Sequence, residues 1–359
     1  MMKTFSTFTL LATTMLGLTA CTTTPPPPQT IHLTASDSMI SRMGRTHTND
    51  DKSQTFGFPG VTFATEVEGK KLTAQLQSSG GNSWVDVIVD GGPPKAVKIE
   101  QQLTDIELFN FPDVAKHRVE IVHRSENWHG AVTLKQFSLT SGGFFVAPKL
   151  PKRKLLILGD SVTCGEAIDR VAGEQKNTRW WNSRESYGML TARALNAQVN
   201  LVCWGGRGLI RSWNGKTDEA NLPDFYEYAV GDNNPAMKWD HNQYQPDLIV
   251  SAIGTNDFSS GIPDRETYVT AYVKLLNKLL ANHPQAHIAL TEGAILNGEK
   301  KAALIDYIRE AISRVNDSRV HQVTSNHYPG DAQDAHPTKE QHAAMAKDLS
   351  PQLKALMDW

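Results

Sequence analysis

The 359-residue sequence carries almost no charge excess: 36 Lys and Arg stand against 38 Asp and Glu, a formal net charge of −2, with no polybasic run. That balance leaves no electrostatic footprint for nucleic acid or for an anionic membrane surface. Neither is expected as a partner. Scattered histidines such as His32, His123 and His283 lack a spacing such as His-Glu-x-x-His, so no catalytic metal and no cofactor are expected. No internal repeat is visible. The G-x-S-x-G elbow is absent around Ser161, because position 163 is Thr, which argues against one large class of serine hydrolases.

What the chain has begins with an address. Lys3 supplies a positive region and "FTLLATTMLGL" a short apolar stretch, so residues 1–20 read as a signal peptide rather than as structure. The stretch is too short to span a bilayer. It ends in "LTAC", which resembles the lipobox of bacterial lipoproteins, in which Cys21 would become the lipidated first mature residue. With Thr22 next, the resemblance implies the outer membrane of a Gram-negative cell or the cell surface, and plain secretion is the alternative. A lipid anchor is then the only membrane contact expected. Residues 21–30 include "TTTPPPPQT", a stiff extended spacer because each Pro fixes φ.

From residue 31 to 147 the pattern alternates at period two: "VTFATEV", "KLTAQLQSS", "WVDVIVDG", "AVKIE", "IELFNF", "HRVEIVHR" and "AVTLKQFSLT". Gly, Asn and Pro break the runs, which predicts an all-β sandwich or jelly roll. A Pro and Lys/Arg cluster at 148–154 reads as a linker. Over 153–359 strand patterns ("LLILG", "QVNLVCW", "DLIVSAIG", "HIALTEG", "RVHQVT") alternate with helical ones. This predicts a three-layer α/β/α domain with a parallel sheet. The clearest helix starts at Asp264, with Tyr268, Val269, Tyr272, Val273, Leu275, Leu276, Leu279 and Leu280 on one face. Another starts at Thr338, where "TKEQ" has the form of a capping box, leaving His336 in the loop just before it.

In open parallel sheets ligands bind beyond the carboxyl ends of the strands. Short polar blocks stand there: "GDS" after the first strand, "GGRG" after the second, "GTND" after the third, and "DAHP" in the loop after the fifth. They would bring Ser161, Gly206, Asn256 and His336 to one edge. A serine hydroxyl needs a base to take its proton, and His suits that work near neutrality. The Ser161 and Gly206 N–H groups and the Asn256 side-chain amide are the candidate donors of an oxyanion hole.

These four blocks in order resemble the SGNH, or GDSL, hydrolases. With "GDSVTCGEA", "GGRGLIR", a late "DxHP" and a β-rich N-terminal domain, the chain most resembles carbohydrate esterase family 2, from about residue 31 to the end. The resemblance implies a jelly roll joined to an SGNH hydrolase domain. It implies a serine esterase that removes acetyl groups from polysaccharides such as xylan and mannans, with Ser161 as nucleophile, His336 as base, and Gly206 and Asn256 as oxyanion donors. The acid usual three residues before the His is missing, since position 333 is Gln; Asp334 or a backbone carbonyl would orient His336. Alternatives are the same chemistry on other acyl esters and a carbohydrate-binding protein with no activity. Trp213, Arg207 and Asp257 are candidate substrate contacts, with ion pairing for the Arg and a turn role for the Asp as the alternatives. Trp180, Trp181, Trp204 and Trp239 also fall near strand ends, where rings meet sugar faces or simply fill core. Cys164 and Cys203, both just past strand ends, are either a disulfide or two small buried side chains.

Overall fold

The computed structural model describes residues 1–4, 29–231 and 237–359. Nearly all of the expected signal peptide, the expected lipidation site Cys21 and most of the Pro-rich stretch lie outside the described residues.

The N-terminal unit is antiparallel β structure apart from one short 3-10 turn, Asn127–His129. Its spine is a 17-residue strand, Thr62–Ser78, lying between the 20-residue strand Thr104–His123 and the strand Val132–Thr140. The sequence pattern splits each long strand in two, at Gly69 and at Pro112, yet the chain runs on through both. Register shifts at Gly69/Lys71 and Leu72/Thr73 absorb the first break. Pro112 is tolerated because it sits on the exposed stretch between Asn110 and Ala115, where the ladder skips. Past Gly69 the spine exchanges neighbours: Ser41–Met43 pairs with its first half and Val132–Thr140 with its second. One continuous network thereby surrounds a core that includes Phe56, Phe63, Val67, Leu72, Val85 and Phe137.

The C-terminal unit holds five parallel strands: β1 (Arg153–Gly159), β2 (Ala197–Cys203), β3 (Leu248–Ala252), β4 (His287–Leu290) and β5 (Val320–Gln322), in the order β2-β1-β3-β4-β5. Apolar residues run without a polar break through β1 because both faces are covered. Leu156 and Leu158 pack under α4 (Arg265–Asn282) and α5 (Gly298–Val315). Leu155 and Ile157 face α2 (Tyr187–Ala194) and α6 (Lys339–Met357). The expected three layers follow from that alternation. Two further short helices, α1 (Ser161–Cys164) and α3 (Thr255–Ser259), follow β1 and β3 directly. The capping box is present, with the Thr338 side chain accepting from the Gln341 N–H.

The two units share a buried seam. Arg124, at the end of the long N-terminal strand, donates to Asp86 (2.7 Å) in its own unit and to Asp169 (2.5 Å) and the Trp181 carbonyl (3.1 Å) in the other. An arginine that is 3% exposed is tolerable only when its donors are satisfied, and here they tie one unit to the next.

Candidate active site

Strand order reverses direction between β1 and β2 on one side and β3 on the other, which makes the carboxyl ends of β1 and β3 a topological switch point. Ser161 follows β1 at once. Asp160 caps α1 by accepting from the Val162 N–H (3.1 Å), and Gly165 closes the turn in the left-handed region at φ 82°. The sharp turn leaves the Ser161 N–H at the helix start, without an intrahelical partner. Burial pushes the Asp160 carboxyl up to about 6.

Four side chains are linked in a chain of contacts that reaches Ser161 through His336. His336 Nε2 lies 2.9 Å from Ser161 Oγ, and its Nδ1 lies 2.6 Å from Asp334 Oδ1. The same oxygen accepts the His336 backbone N–H at 2.9 Å, fixing the short Asp-Ala-His spacing. Asp334 therefore reaches the imidazole from two residues away, with no backbone carbonyl in that place. Its other oxygen takes the Lys176 ammonium at 2.8 Å. Lys176 also meets Glu166 Oε1 at 2.5 Å, and Glu166 Oε2 stands 3.5 Å from His336 Nε2.

The electrostatics follow from this ring of charge. Burial pulls the His336 pKa down, but the Asp334 hydrogen bond and the Glu166 charge outweigh it and leave the imidazole above its ordinary value. Burial also works against the charged form of Asp334, yet the bonds from His336 and Lys176 hold it well below the usual carboxylate range. The carboxylate stays ionised, and the imidazole Nδ1–H is held toward it.

Gly206 and Asn256 line the same edge. Gly206 has φ 76°, and a Cβ there would lie 2.9 Å from Trp213 Cδ1, so the turn admits only glycine. Asn256, 7% exposed, donates one Nδ2 hydrogen to the Arg207 carbonyl at 2.8 Å, which orients the amide and leaves its second hydrogen for another acceptor. Cys164 and Cys203 form a disulfide with Cα atoms 5.7 Å apart, joining the turn after β1 to the end of β2. A nucleophile, a base with its orienting acid, and donors around one point make up the equipment for acyl transfer.

Two family models match the chain: the carbohydrate esterase 2 N-terminal domain over residues 42–148 and the GDSL-like lipase/acylhydrolase family over residues 157–344. An acetylxylan esterase / glucomannan deacetylase of Cellvibrio japonicus is 64% identical over 351 residues, covering 98% of each chain. The chain belongs to carbohydrate esterase family 2. The solved structure of a family two carbohydrate esterase from Cellvibrio japonicus superposes with a TM-score of 0.92 at 65% identity, covering 92% of this chain and 99% of that one. The Clostridium thermocellum family two esterase, solved with cellohexaose, gives a TM-score of 0.83 at 29% identity, covering 89% and 99%.

For this family 2 member two expected substrate contacts need correction. Asp257 is fully buried and accepts the Leu209 (2.8 Å), Ile210 (2.8 Å) and Arg211 (3.2 Å) N–H groups, so it is a clamp for the loop after β2 rather than a sugar contact. Burial pushes it up to about 6 against those three bonds. Arg207 commits Nη1 to Glu219 and to Ser212 Oγ, the ion-pair alternative. Trp213 does stand open, 61% exposed beside Gly206, whereas Trp180, Trp181 and Trp204 are core and Trp239 lies under the Arg45 guanidinium.

Four residues escaped the sequence reading. Glu166 and Lys176 face the histidine as described. Arg170 gathers the Ala167, Asp334, His336 and Pro337 carbonyls and the Asp331 carboxylate, bracing the histidine loop. Glu126, from the N-terminal unit, accepts the Gly205 N–H at 2.6 Å. Glu166 and Arg170 lie only five and nine residues past Ser161, a local signal that was available; Glu126 gave none, because only the docking of two units brings it there.

Proposed function

We propose that this protein is an exported serine esterase that removes O-acetyl groups from xylan and glucomannan through an acetyl-enzyme on Ser161. The Ser161–His336–Asp334 chain of contacts, at 2.9 and 2.6 Å, carries the reading. Ser161 Oγ attacks the acetyl carbonyl as His336 Nε2 takes its proton, and the Asp334 carboxylate stabilises the imidazolium. The carbonyl oxygen, now anionic, is received by the Ser161 and Gly206 N–H groups and the Asn256 amide. Collapse of the adduct expels the sugar oxygen, which His336 protonates. Water, activated by the same imidazole, then releases acetate.

Support for the substrate comes from the Cellvibrio japonicus relative, named for acetylxylan and glucomannan, and from the exposed ring of Trp213 beside the oxyanion loop. The "LTAC" motif and the Pro-rich spacer support attachment by lipid at Cys21, with residues 31–147 and 153–359 held off the outer membrane. In the test, acetate release is followed from acetylated xylan, glucomannan and pectin. The wild type should favour the first two and Ser161→Ala should lose at least about 1000-fold in kcat; a Ser161→Ala enzyme that keeps its activity overturns the reading.

A further inference from the structure

The function proposed above gives the N-terminal unit no part in the chemistry, yet that unit sends one segment, Glu126 to Trp128, into the seam beside the oxyanion loop. Glu126 is fully buried, and its hydrogen-bond partners are N–H donors: the Trp181 indole at 2.5 Å and the Gly205 backbone at 2.6 Å. A Cβ at Gly205 would fall 2.8 Å from a Glu126 oxygen, so the glycine is dictated by that carboxyl. One group thus grips the residue before Gly206 and the ring of Trp181 together.

Trp128 is 54% exposed, an unusual state for the largest apolar side chain. It is nevertheless fixed. Its ring packs edge-on to buried Trp181 at 5.4 Å and lies 4.0 Å from the His129 ring. Trp181 in turn lies under the Lys176 ammonium that binds Asp334. Two exposed indoles are therefore tied to consecutive residues of the oxyanion loop: Trp128 by packing on Trp181, which shares the Glu126 carboxyl with the Gly205 N–H, and Trp213 directly against Gly206. A rigid, exposed, flat ring beside a reacting centre suits the apolar face of a pyranose, and its prior immobilisation lowers the entropy lost on binding.

We propose that Trp128 is a sugar-binding platform of the active site, supplied by the N-terminal unit and held beside the catalytic machinery by its packing on Trp181. It takes a pyranose ring of the acetylated chain next to the residue that carries the ester. The proposal rests on the esterase reading above, and the experiment separates the two. Wild type, Trp128→Ala and Trp128→Phe are assayed on an acetylated xylo-oligosaccharide and on 4-nitrophenyl acetate, which has no sugar. The ratio of kcat/KM for the first to that for the second is expected to fall about tenfold or more in Trp128→Ala, mainly through KM, and by a smaller factor in Trp128→Phe, which keeps a ring. A ratio within twofold of wild type in both variants overturns the platform. A Phe variant that loses activity equally on both substrates also overturns it, since Trp128 would then act only through Trp181 and Glu126 on the oxyanion loop. A wild type that releases no acetate from either substrate sinks the esterase reading itself.

Discussion

Replacing Asp334 by Asn keeps an oxygen able to accept from His336 Nδ1 but removes the charge that faces it at 2.6 Å. Two unit charges about 4 Å apart at an effective dielectric of about 20 interact by about 4 kcal/mol. That is an upper figure here. The two side chains are 21% and 10% exposed, and Glu166 at 3.5 Å still lends the imidazolium part of its field. About 2 to 4 kcal/mol of transition-state stabilisation should therefore disappear, about 30- to 1000-fold in kcat/KM. Because the carboxylate is one of the groups that raise the His336 pKa, its loss moves the acid limb of the kcat/KM profile to lower pH. The assay is 4-nitrophenyl acetate hydrolysis from pH 4.5 to 8.5, with a thermal melt to show that the loop has not collapsed. A variant within threefold of wild type, with an unmoved acid limb, would refute the claim that Asp334 steers and charges the histidine.

Further outcomes concern stability. His342 is fully buried, its Nδ1 accepts the Tyr187 N–H at 3.1 Å, and burial pushes its pKa down to about 3. The unfolded chain binds that proton near pH 6.5, so the contribution of neutral His342 is whole above pH 6.5 and is lost progressively as pH falls toward 3. At pH 5 the loss is about 2 kcal/mol, and urea unfolding should show wild type losing about that much more than His342→Gln between pH 7.5 and 5; equal losses would contradict it. The disulfide closes a 39-residue separation, worth about 4 kcal/mol by loop entropy. The Cys164→Ala/Cys203→Ala double variant should unfold about 2 to 4 kcal/mol more easily in denaturant, and a change under 1 kcal/mol would mean the crosslink constrains little.

Periodicity made the two fold classes readable because each element buries one face or both against a sheet. It could not show that Thr62–Ser78 is one strand, since Gly69 looks like a turn until register shifts against Thr104–His123 accommodate it. The reacting residues were legible for a different reason: strand ends in a parallel sheet share an edge, so Ser161, Gly206, Asn256 and His336 could be placed together without coordinates. Asp257 misled the reading because an acid next to a catalytic Asn looks the same in sequence whether it faces a ligand or three backbone N–H groups. Glu126 was illegible because its partners, Trp181 and Gly205, lie 55 and 79 residues away in another unit.

The acceptor that Gly205 needs is borrowed across the seam, and so are two anchors of Arg124. Enzymes that act on polymers are commonly rebuilt by cutting at linkers and trading whole modules. Cutting at residues 148–154 would here leave the half-buried Gly205 amide without its carboxylate and Asp169 without its arginine. The chain is two folds by architecture but one heritable part, and a shorter catalyst made from it would have to carry a replacement for Glu126 within its own sequence.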